Sequence, residues 1–299
     1  MSILVVGSTA LDSVETAYGK VEDALGGSAF FFGAAASHFT PVNLVGVVGE
    51  DFDLGQLDFL KAQGCDLAGI AVEKGRTFRW GGKYHKDVNK RDTLFTELNV
   101  FENFNPQIPE SYRDAKYVFL ANITPALQLQ VLEQVHQPDL IVLDTMNLWI
   151  NIAREDLMEV IRKVDIMILN DEELGDLTGE VSLFGGAQKL LSEGLKAIVV
   201  KKGQHGAVLI TPSGMFLASA YPVEKVVDPT GAGDSFAGGF VGYLAANGGV
   251  SPENLRQAVI QGTVVASFSV EDFSLNRLKG LTKGDLEKRT AHFRELTRF

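Results

Sequence analysis

The sequence reads Asp228-Pro229-Thr230-Gly231-Ala232-Gly233-Asp234-Ser235-Phe236-Ala237-Gly238-Gly239-Phe240 at the point where a long apolar helix is predicted to begin. The first turn of a helix has unpaired backbone N–H groups and partial positive charge, and glycine lets an anion approach those groups closely. We therefore expect the amides of Gly231, Ala232 and Gly233 to form an anion hole. Asp234 follows them directly, where its carboxylate could take a proton from an attacking hydroxyl group. Phosphoryl transfer needs such positioned donors more than it needs covalent chemistry.

The composition excludes several other classes of protein. The 299-residue chain is 45% hydrophobic, with a mean hydropathy of +0.08 and a net charge of −11. This acidic balance argues against a nucleic-acid partner. No stretch of about 18 uncharged apolar residues occurs, so we expect no membrane span, and residues 1–7 predict a first strand rather than a signal peptide. The single cysteine, Cys65, excludes a disulfide framework and suits a cytoplasmic protein.

Short apolar segments alternate along the chain with helix-length amphipathic segments. This alternation predicts an α/β fold, a mostly parallel sheet with helices on both faces, in a single domain over residues 1–299. The predicted strands are residues 3–6, 43–48, 117–121, 140–143, 166–169, 197–201 and 207–211. The predicted helices are residues 33–39, 54–63, 126–134, 154–164, 185–192, 235–246 and 253–268.

Two segments, residues 11–25 and 75–100, follow a different pattern. They alternate polar and apolar residues with a period of two, as in Thr77-Phe78-Arg79-Trp80. Strands of this kind have one face in contact with water. We therefore predict a small β-sheet that is separate from the main sheet.

Together these features resemble the PfkB/ribokinase-like carbohydrate kinases. Residues 228–240 resemble the C-terminal signature of that family, and further matches follow in the same order over nearly the whole chain. They are Gly7 with Asp12, Gly26-Gly27-Ser28-Ala29, the Gly-x-Val-Gly-x-Asp-x-x-Gly pattern within residues 46–55, Asn170-Asp171-Glu172-Glu173, and Lys201-Lys202-Gly203-Gln204-His205-Gly206. The resemblance implies a ribokinase-like fold in which the small sheet, from about 11–25 and 75–100, forms a lid over the active-site cleft.

The same resemblance implies an ATP-dependent kinase that phosphorylates a hydroxyl group of a small sugar or related polyhydroxy compound. Asp234 would be the base and the amides of residues 231–233 the anion hole. The expected substrate contacts are Asp12, Gly27, Ser28 and Asn147. The expected ATP contacts are Lys201, Gly203, Gly206 and Thr230.

Three further residues are candidates for metal binding. Asn170 and Glu173 follow a predicted strand at the sheet edge where open α/β folds bind ligands, and they could orient the waters of Mg²⁺. Their spacing is equally that of a helix capping box, and the two roles are compatible. Asp228 matches a family position that helps to bind a monovalent cation such as K⁺, together with a later loop at residues 267–273, or it shapes the turn.

Several alternatives stay open at this point. Phe31 stands where ribokinase-like sugar kinases usually have an asparagine, and it cannot hydrogen-bond a diol. Sugars remain the first expectation, but nucleosides and inositols are possible acceptors, and a non-catalytic ligand-sensing module is the alternative from another class. Arg76, Trp80, Lys83, Arg91 and Arg113 are further candidates for substrate contacts. The lid strands would expose sheet edges, which predicts a homodimer through the lid or closure of the lid over substrate.

Overall fold

A nine-stranded main sheet and a four-stranded second sheet organise the computed structural model, which describes residues 2–298. The strands are β1 (Ile3–Val6), β2 (Ala10–Thr16), β3 (Gly19–Gly26), β4 (Val42–Gly49), β5 (Cys65–Glu73), β6 (Phe78–Tyr84), β7 (Arg91–Glu97), β8 (Tyr117–Leu120), β9 (Leu140–Asp144), β10 (Ile166–Asn170), β11 (Ala197–Lys201), β12 (Ala207–Thr211) and β13 (Gly214–Ala218). The helices are α1 (Ser28–Ala36), α2 (Asp58–Ala62), α3 (Pro125–Gln134), α4 (Asn147–Ile152), α5 (Arg154–Ile161), α6 (Asp171–Thr178), α7 (Leu183–Leu191), α8 (Ala232–Ala246), α9 (Pro252–Ser269), α10 (Asn276–Lys279) and α11 (Lys283–Leu296). Short 3₁₀ helices span Leu54–Leu57, Asn99–Asn103, Glu110–Tyr112 and Gly203–His205.

The main sheet is parallel except at one edge. Its strand order is β13-β12-β11-β10-β9-β8-β1-β4-β5. The antiparallel pairs are β11 with β12 and β12 with β13, at one edge of the sheet. Successive side chains of a strand point to opposite faces, so Ile3 and Val5 join one buried cluster while Leu4 and Val6 join the other. Helices α1, α8 and α9 cover the first face, and α3, α5, α6 and α7 cover the second. The prediction of a mostly parallel sheet between helical layers is confirmed.

The second sheet is formed by the two segments of the predicted lid, and its closure over a cleft remains a prediction. Its order is β3-β2-β6-β7, in which β2 and β6 are parallel and the other pairs are antiparallel. Arg79 ties the lid to the rest of the molecule, because its guanidinium lies 2.8 Å from Asp51, just after β4. The same guanidinium lies 3.0 Å from Asp23 of β3, within the lid sheet itself. Among residues 2–298, β3 and β7 are the outer strands of this sheet. The homodimer through the lid remains a prediction.

All seven predicted strands are present, and their ends move by at most one residue. The helix predicted at residues 33–39 is wrong at its start, because α1 begins at Ser28 and buries Phe30, Phe31 and Phe32 in its first turns. A helix that is buried on every side shows no amphipathic period, so its beginning is hidden in the sequence. The helix predicted at 54–63 is divided into a 3₁₀ turn and α2.

The sequence analysis missed two strands and several helices. Strands β5 and β13 lie at the two edges of the main sheet and carry many exposed residues, so neither forms a continuous apolar segment. Helix α11 is polar over most of its surface and buries only Leu286 and Phe293. In the part of the chain that the structure describes, no helix combines the length and apolar character needed to cross a membrane.

Candidate active site

The anion-hole loop lies at the start of α8. Gly231 caps this helix with φ = 71°, a left-handed conformation that favours glycine. The ring of Phe31 packs directly beneath it, and any Cβ at position 231 would overlap that ring. Helix α8 begins at Ala232, three residues earlier than predicted, so the amides of residues 232 and 233 belong to its first turn. Phe31, only 1% exposed, is therefore a core residue that supports the loop.

A single lysine lies among carboxylates beside this loop. The ammonium nitrogen of Lys201 is 3.4 Å from each carboxylate oxygen of Asp144, and 3.0 Å from the place where a Cβ on Gly233 would stand. Burial acts to lower the pKa of Lys201, but the neighbouring carboxylates of Asp144, Glu173 and Asp234 outweigh it and raise the pKa overall. The lysine therefore stays protonated next to the predicted anion hole.

The carboxylates of this cluster hold their protons unusually strongly. Burial, assisted by the nearby charge of Asp144, raises the pKa of Asp234 to about 7, although Lys201 acts in the opposite direction. Burial likewise raises the pKa of Glu173 to about 7. A carboxylate with a pKa near neutral is suited to proton transfer at physiological pH. Perturbed groups of this kind concentrate at functional sites.

Asn170 and Glu173 form a capping box at the start of α6. The Glu173 N–H donates to Asn170 Oδ1, the Asn170 N–H donates to Glu173 Oε2, and both distances are 2.7 Å. Asn170 is the last residue of β10, next to Lys201 at the end of β11. The capping role is therefore present, and it fixes both side chains at the edge of the sheet that carries the lysine cluster.

Asp12 contributes a second buried carboxyl group, from the lid strand β2. Burial and the charge of Asp228 raise its pKa to about 7, while a hydrogen bond from the Gly27 N–H opposes them. Gly27 has φ = 91° and caps α1. The Ser28 hydroxyl lies 3.0 Å from both the backbone N and Oγ of Ser8, so it fastens the start of α1 to the loop after β1.

The face of the lid that carries Asp12 also carries aromatic side chains. Trp80 pairs in register with Asp12 on the adjacent strand, so the two side chains share this face. The indole of Trp80 lies across Gly82, where any Cβ would overlap its ring. The guanidinium of Arg91 is 5.4 Å from the centre of the indole, and Arg91 pairs in register with Tyr84. We call this surface, formed by Asp12, Trp80, Gly82, Tyr84 and Arg91, the inner lid face.

Tyr84 connects the inner lid face with the anion-hole loop. The Thr230 hydroxyl donates to the Tyr84 hydroxyl oxygen at 3.1 Å, and the ring of Tyr84 is buried. Burial is also the main reason why the pKa of Tyr84 is raised. The lid thus contacts the same loop that supplies the predicted phosphate-binding amides.

Asp228 lies at the junction of the two predicted cation-site loops. Its carboxylate accepts the Thr230 N–H at 2.9 Å and the Ser274 N–H at 3.1 Å, and its own N–H donates to the Val270 carbonyl at 3.3 Å. Burial raises the pKa of this carboxyl group. The structure therefore gives Asp228 the turn-shaping role and brings residues 267–273 beside it.

The remaining predicted contacts lie in two places. Gly203 and Gly206 bracket the 3₁₀ turn after β11, where the Gly206 N–H donates to the Gly203 carbonyl at 3.1 Å. The side chain of Asn89, in the β6–β7 loop, reaches to within 2.9 Å of where a Cβ on Gly203 would stand. Asn147 begins α4, and its amide donates to Asp176 on α6 at 3.2 Å, so its recorded contact is with α6 rather than with the lysine cluster.

Two residues of the site were missed from the sequence. Asp144 is the last residue of β9, one residue beyond the predicted end of that strand, and Asn147 rather than Asp144 was the predicted site residue of this segment. The signal was available, because Asp144 ends a buried parallel strand just as Asn170 and Lys201 do. Tyr84 was detectable from the period of two, which places residues 80, 82 and 84 on one face of β6.

Known proteins resemble this chain in sequence and in fold. A model of the pfkB family of carbohydrate kinases matches residues 2–278. A cytidine kinase of Thermococcus kodakarensis is 30% identical over 251 residues, which is 81% of this chain and 88% of that protein. The crystal structure of the Methanocaldococcus jannaschii nucleoside kinase, described as an archaeal member of the ribokinase family, superposes with a TM-score of 0.78 at 22% identity and covers 97% of this chain and 98% of its own. An E. coli protein described as ribokinase II, in complex with ATP and Mg²⁺, gives a TM-score of 0.78 at 19% identity and covers 97% of this chain and 99% of its own.

The chain therefore belongs to the pfkB family of carbohydrate kinases. The predicted family, the ribokinase-like fold class and the predicted class of enzyme, an ATP-dependent phosphotransferase with an alcohol group as acceptor, are confirmed. The roles of the individual site residues remain predictions.

Proposed function

We propose that this member of the pfkB family transfers the γ-phosphoryl group of ATP to a hydroxyl group of a nucleoside. The single observation that carries the chemistry is the meeting of Asp234, the start of α8 and Lys201 at one edge of the sheet. The inner lid face carries the assignment of the acceptor.

Catalysis would depend on three groups of this chain. Asp234 accepts the proton of the attacking hydroxyl, and its pKa of about 7 leaves a large fraction ionised at neutral pH. The amides of Gly231 and Gly233 bind the oxygens of the transferred group, and loss of one such donor typically costs about 2.7–4 kcal/mol in the transition state. The third predicted donor, the Ala232 N–H, donates to the Pro229 carbonyl at 3.2 Å in this structure. Lys201 brings a positive charge to the same point.

The charge balance of the lysine cluster is suitable for a metal ion carried by the nucleotide. Asp144, Glu173 and Asp234 surround one lysine, which leaves an excess of negative charge that a divalent cation would neutralise. No group of three or more metal-binding side chains is found within residues 2–298, which suits an ion held mainly by phosphates and waters. Asn170 and Glu173 would orient those waters, and the bound Mg²⁺ would neutralise charge on the triphosphate.

A nucleoside fits the inner lid face better than a free sugar does. Asp12 can accept hydrogen bonds from sugar hydroxyl groups, as any polyhydroxy acceptor requires. The indole of Trp80, laid across Gly82 on the same face, adds a flat surface on which a base can stack. Phe31 offers no diol contact because it is a buried core residue. The cytidine kinase and nucleoside kinase among the relatives support the same choice.

Free sugars are the second candidate. Asp12 alone would suit them, and the ribokinase of Staphylococcus aureus, 31% identical over 118 residues, is one of the relatives. In this reading the aromatic surface of the lid would cover the sugar without stacking on a base. A nucleoside would stack on Trp80 and a free sugar would not, so substitution of Trp80 distinguishes the two acceptors.

The test is steady-state kinetics with ATP and Mg²⁺ on matched panels of nucleosides, free sugars, inositols and sugar phosphates. We expect nucleosides to give the highest kcat/KM. Trp80→Ala should raise the nucleoside KM by about tenfold, since stacking of one base is worth about 1–3 kcal/mol, and should leave the KM for ribose unchanged. Phe95→Ala is the matched control, because Phe95 lies across Gly81 on the opposite face of the lid. A free sugar with the highest kcat/KM, or equal losses for all acceptors in Trp80→Ala, would contradict the assignment.

We also propose that the junction at Asp228 binds a monovalent cation. Asp228 is buried where its own loop hydrogen-bonds to residue 270 of the later loop, so backbone carbonyls of both loops are available nearby. The experiment compares turnover in KCl with turnover in tetramethylammonium chloride at equal ionic strength. Activation by K⁺ that Asp228→Asn abolishes is the expected result, and equal turnover in the two salts would refute the cation role.

A further inference from the structure

We propose that Asp144 is a positioning residue, which holds the ammonium group of Lys201 over the anion hole so that its charge reaches the transferred phosphoryl group. This inference rests on the proposed kinase activity and adds a residue to it. Asp144 itself would touch neither substrate nor nucleotide, and it would act through Lys201.

The geometry of the pair is specific. Asp144 ends β9 and Lys201 ends β11, with β10 between them, so the lysine side chain spans the carboxyl edge of one strand to reach the aspartate. Its nitrogen lies at the same distance, 3.4 Å, from both carboxylate oxygens. Asp144 is held in turn by the Thr145 N–H, which donates to Oδ1 at 3.0 Å. Within residues 2–298 Asp144 is therefore the hydrogen-bond partner of the ammonium group, which also lies beside Gly233.

Because both side chains are largely buried, the position of the Lys201 ammonium group depends on the presence of the Asp144 carboxylate. The side chain of Asp144 is 6% exposed and that of Lys201 is 19% exposed. A lysine side chain has four rotatable carbons, so without a fixed partner its ammonium group can move toward solvent or toward the other carboxylates of the cluster. Glu173 and Asp234 are those carboxylates, and movement toward either would draw the charge away from the phosphoryl group.

A second aspartate–lysine pair on the same part of the sheet provides a matched control. Asp165 precedes β10 and Lys196 precedes β11, and the Lys196 nitrogen lies 2.7 Å from the Asp165 carboxylate. This pair lies at the amino ends of the strands, away from the anion hole at their carboxyl ends. Asp165→Asn thus removes an ion pair and one negative charge without changing the proposed site.

The experiment is a double-mutant cycle read as kcat/KM for ATP, on wild type, Asp144→Asn, Lys201→Met and the double variant. We expect Lys201→Met to lose about a hundredfold, the lower end of the range typical of one missing donor to developing charge. Asp144→Asn displaces that charge without removing it, so it should lose less, about tenfold. If Asp144 acts through Lys201, the double variant should lie within about threefold of Lys201→Met. The KM for the acceptor should stay the same in all four proteins, and Asp165→Asn should behave as wild type.

Two results would overturn the inference. One is an Asp144→Asn enzyme within threefold of wild type. The other is a double variant that falls below Lys201→Met by the full factor that Asp144→Asn costs in wild type, since additive losses indicate an independent structural role. If Asp144→Asn does not fold, Asp144→Glu takes its place: it keeps the charge and should retain threefold more activity than Asp144→Ser, and equal losses would refute the charge role. Absence of turnover in the wild type would instead refute the proposed kinase activity.

Discussion

Replacing Asp234 with asparagine should stabilise the protein while it removes turnover. The pKa of Asp234 is about 7 in the folded chain, against 3.8 for an unperturbed aspartate, and burial is the main cause. The shift of roughly 3 units corresponds to about 4 kcal/mol of unfavourable free energy when the carboxylate is ionised. Asp234 is partly exposed, and its loss deprives Lys201 of one carboxylate neighbour. We therefore expect about half of that value, a gain of about 2 kcal/mol for Asp234→Asn above pH 7.

The direction of the pH dependence follows from linkage. The pKa of Asp234 is higher in the folded chain than in the unfolded chain. The contribution of this carboxyl group to the stability of the fold is therefore fully present below about pH 3.8 and is lost as the pH rises through 7. Wild type becomes less stable over this range because Asp234 ionises. The asparagine of Asp234→Asn does not ionise, so the variant keeps its stability. The difference in Tm, variant minus wild type, should therefore be close to zero near pH 4 and reach a plateau of about 4 °C above pH 7.

Differential scanning calorimetry of the nucleotide-free proteins at steps from about pH 4 to about pH 8.5 measures this difference. Asp58→Asn, at an exposed carboxylate of α2, is the control and should follow wild type at every pH. A Tm difference that does not change with pH, or a variant that becomes less stable as the pH rises, would refute the burial argument for Asp234.

Three further predictions concern the same site. Gly82→Ala should displace the indole of Trp80 and raise the nucleoside KM while leaving the KM for ATP unchanged, which steady-state kinetics would detect; an unchanged nucleoside KM would contradict it. Gly231→Ala forces a Cβ into a left-handed, ring-packed position, so urea denaturation should show a loss of about 1–3 kcal/mol or more, and wild-type stability would refute the packing argument. The acid limb of kcat/KM against pH should lie near pH 7 with a slope above one, since both Asp12 and Asp234 must ionise, and a limb below pH 5 would exclude both assignments.

Much of the fold was predictable because its strands are unambiguous in sequence. A parallel strand that is buried on both faces, such as β10, is a short continuous apolar segment, and such a segment predicts a buried strand. The edge strands β5 and β13 lack that signal, since half of their surface faces water. The beginning of α1 was hidden for the opposite reason, because every residue in it is buried.

The site was predictable only where a local motif reports it. Residues 228–240 form one continuous segment, and Asn170 to Glu173 span about one helical turn, so the local sequence is enough to predict their geometry. Asp144 and Tyr84 depend on contacts across 57 residues to Lys201 and across 146 residues to Thr230. Such contacts are created by the order of strands in the sheets, which no local pattern encodes.

Asp234 is the proposed base of the phosphoryl transfer, and the proposed function depends on it more than on any other residue. The decisive measurement is transfer of labelled γ-phosphoryl from ATP to a nucleoside at pH 8 and saturating Mg²⁺, by wild type and by Asp234→Asn, with ATP affinity measured separately by calorimetry. We expect wild type to label the nucleoside, and the variant to lose about a thousandfold in rate or more while its ATP affinity stays within about threefold. An Asp234→Asn enzyme that retains turnover within tenfold of wild type would show that Asp234 is not the base.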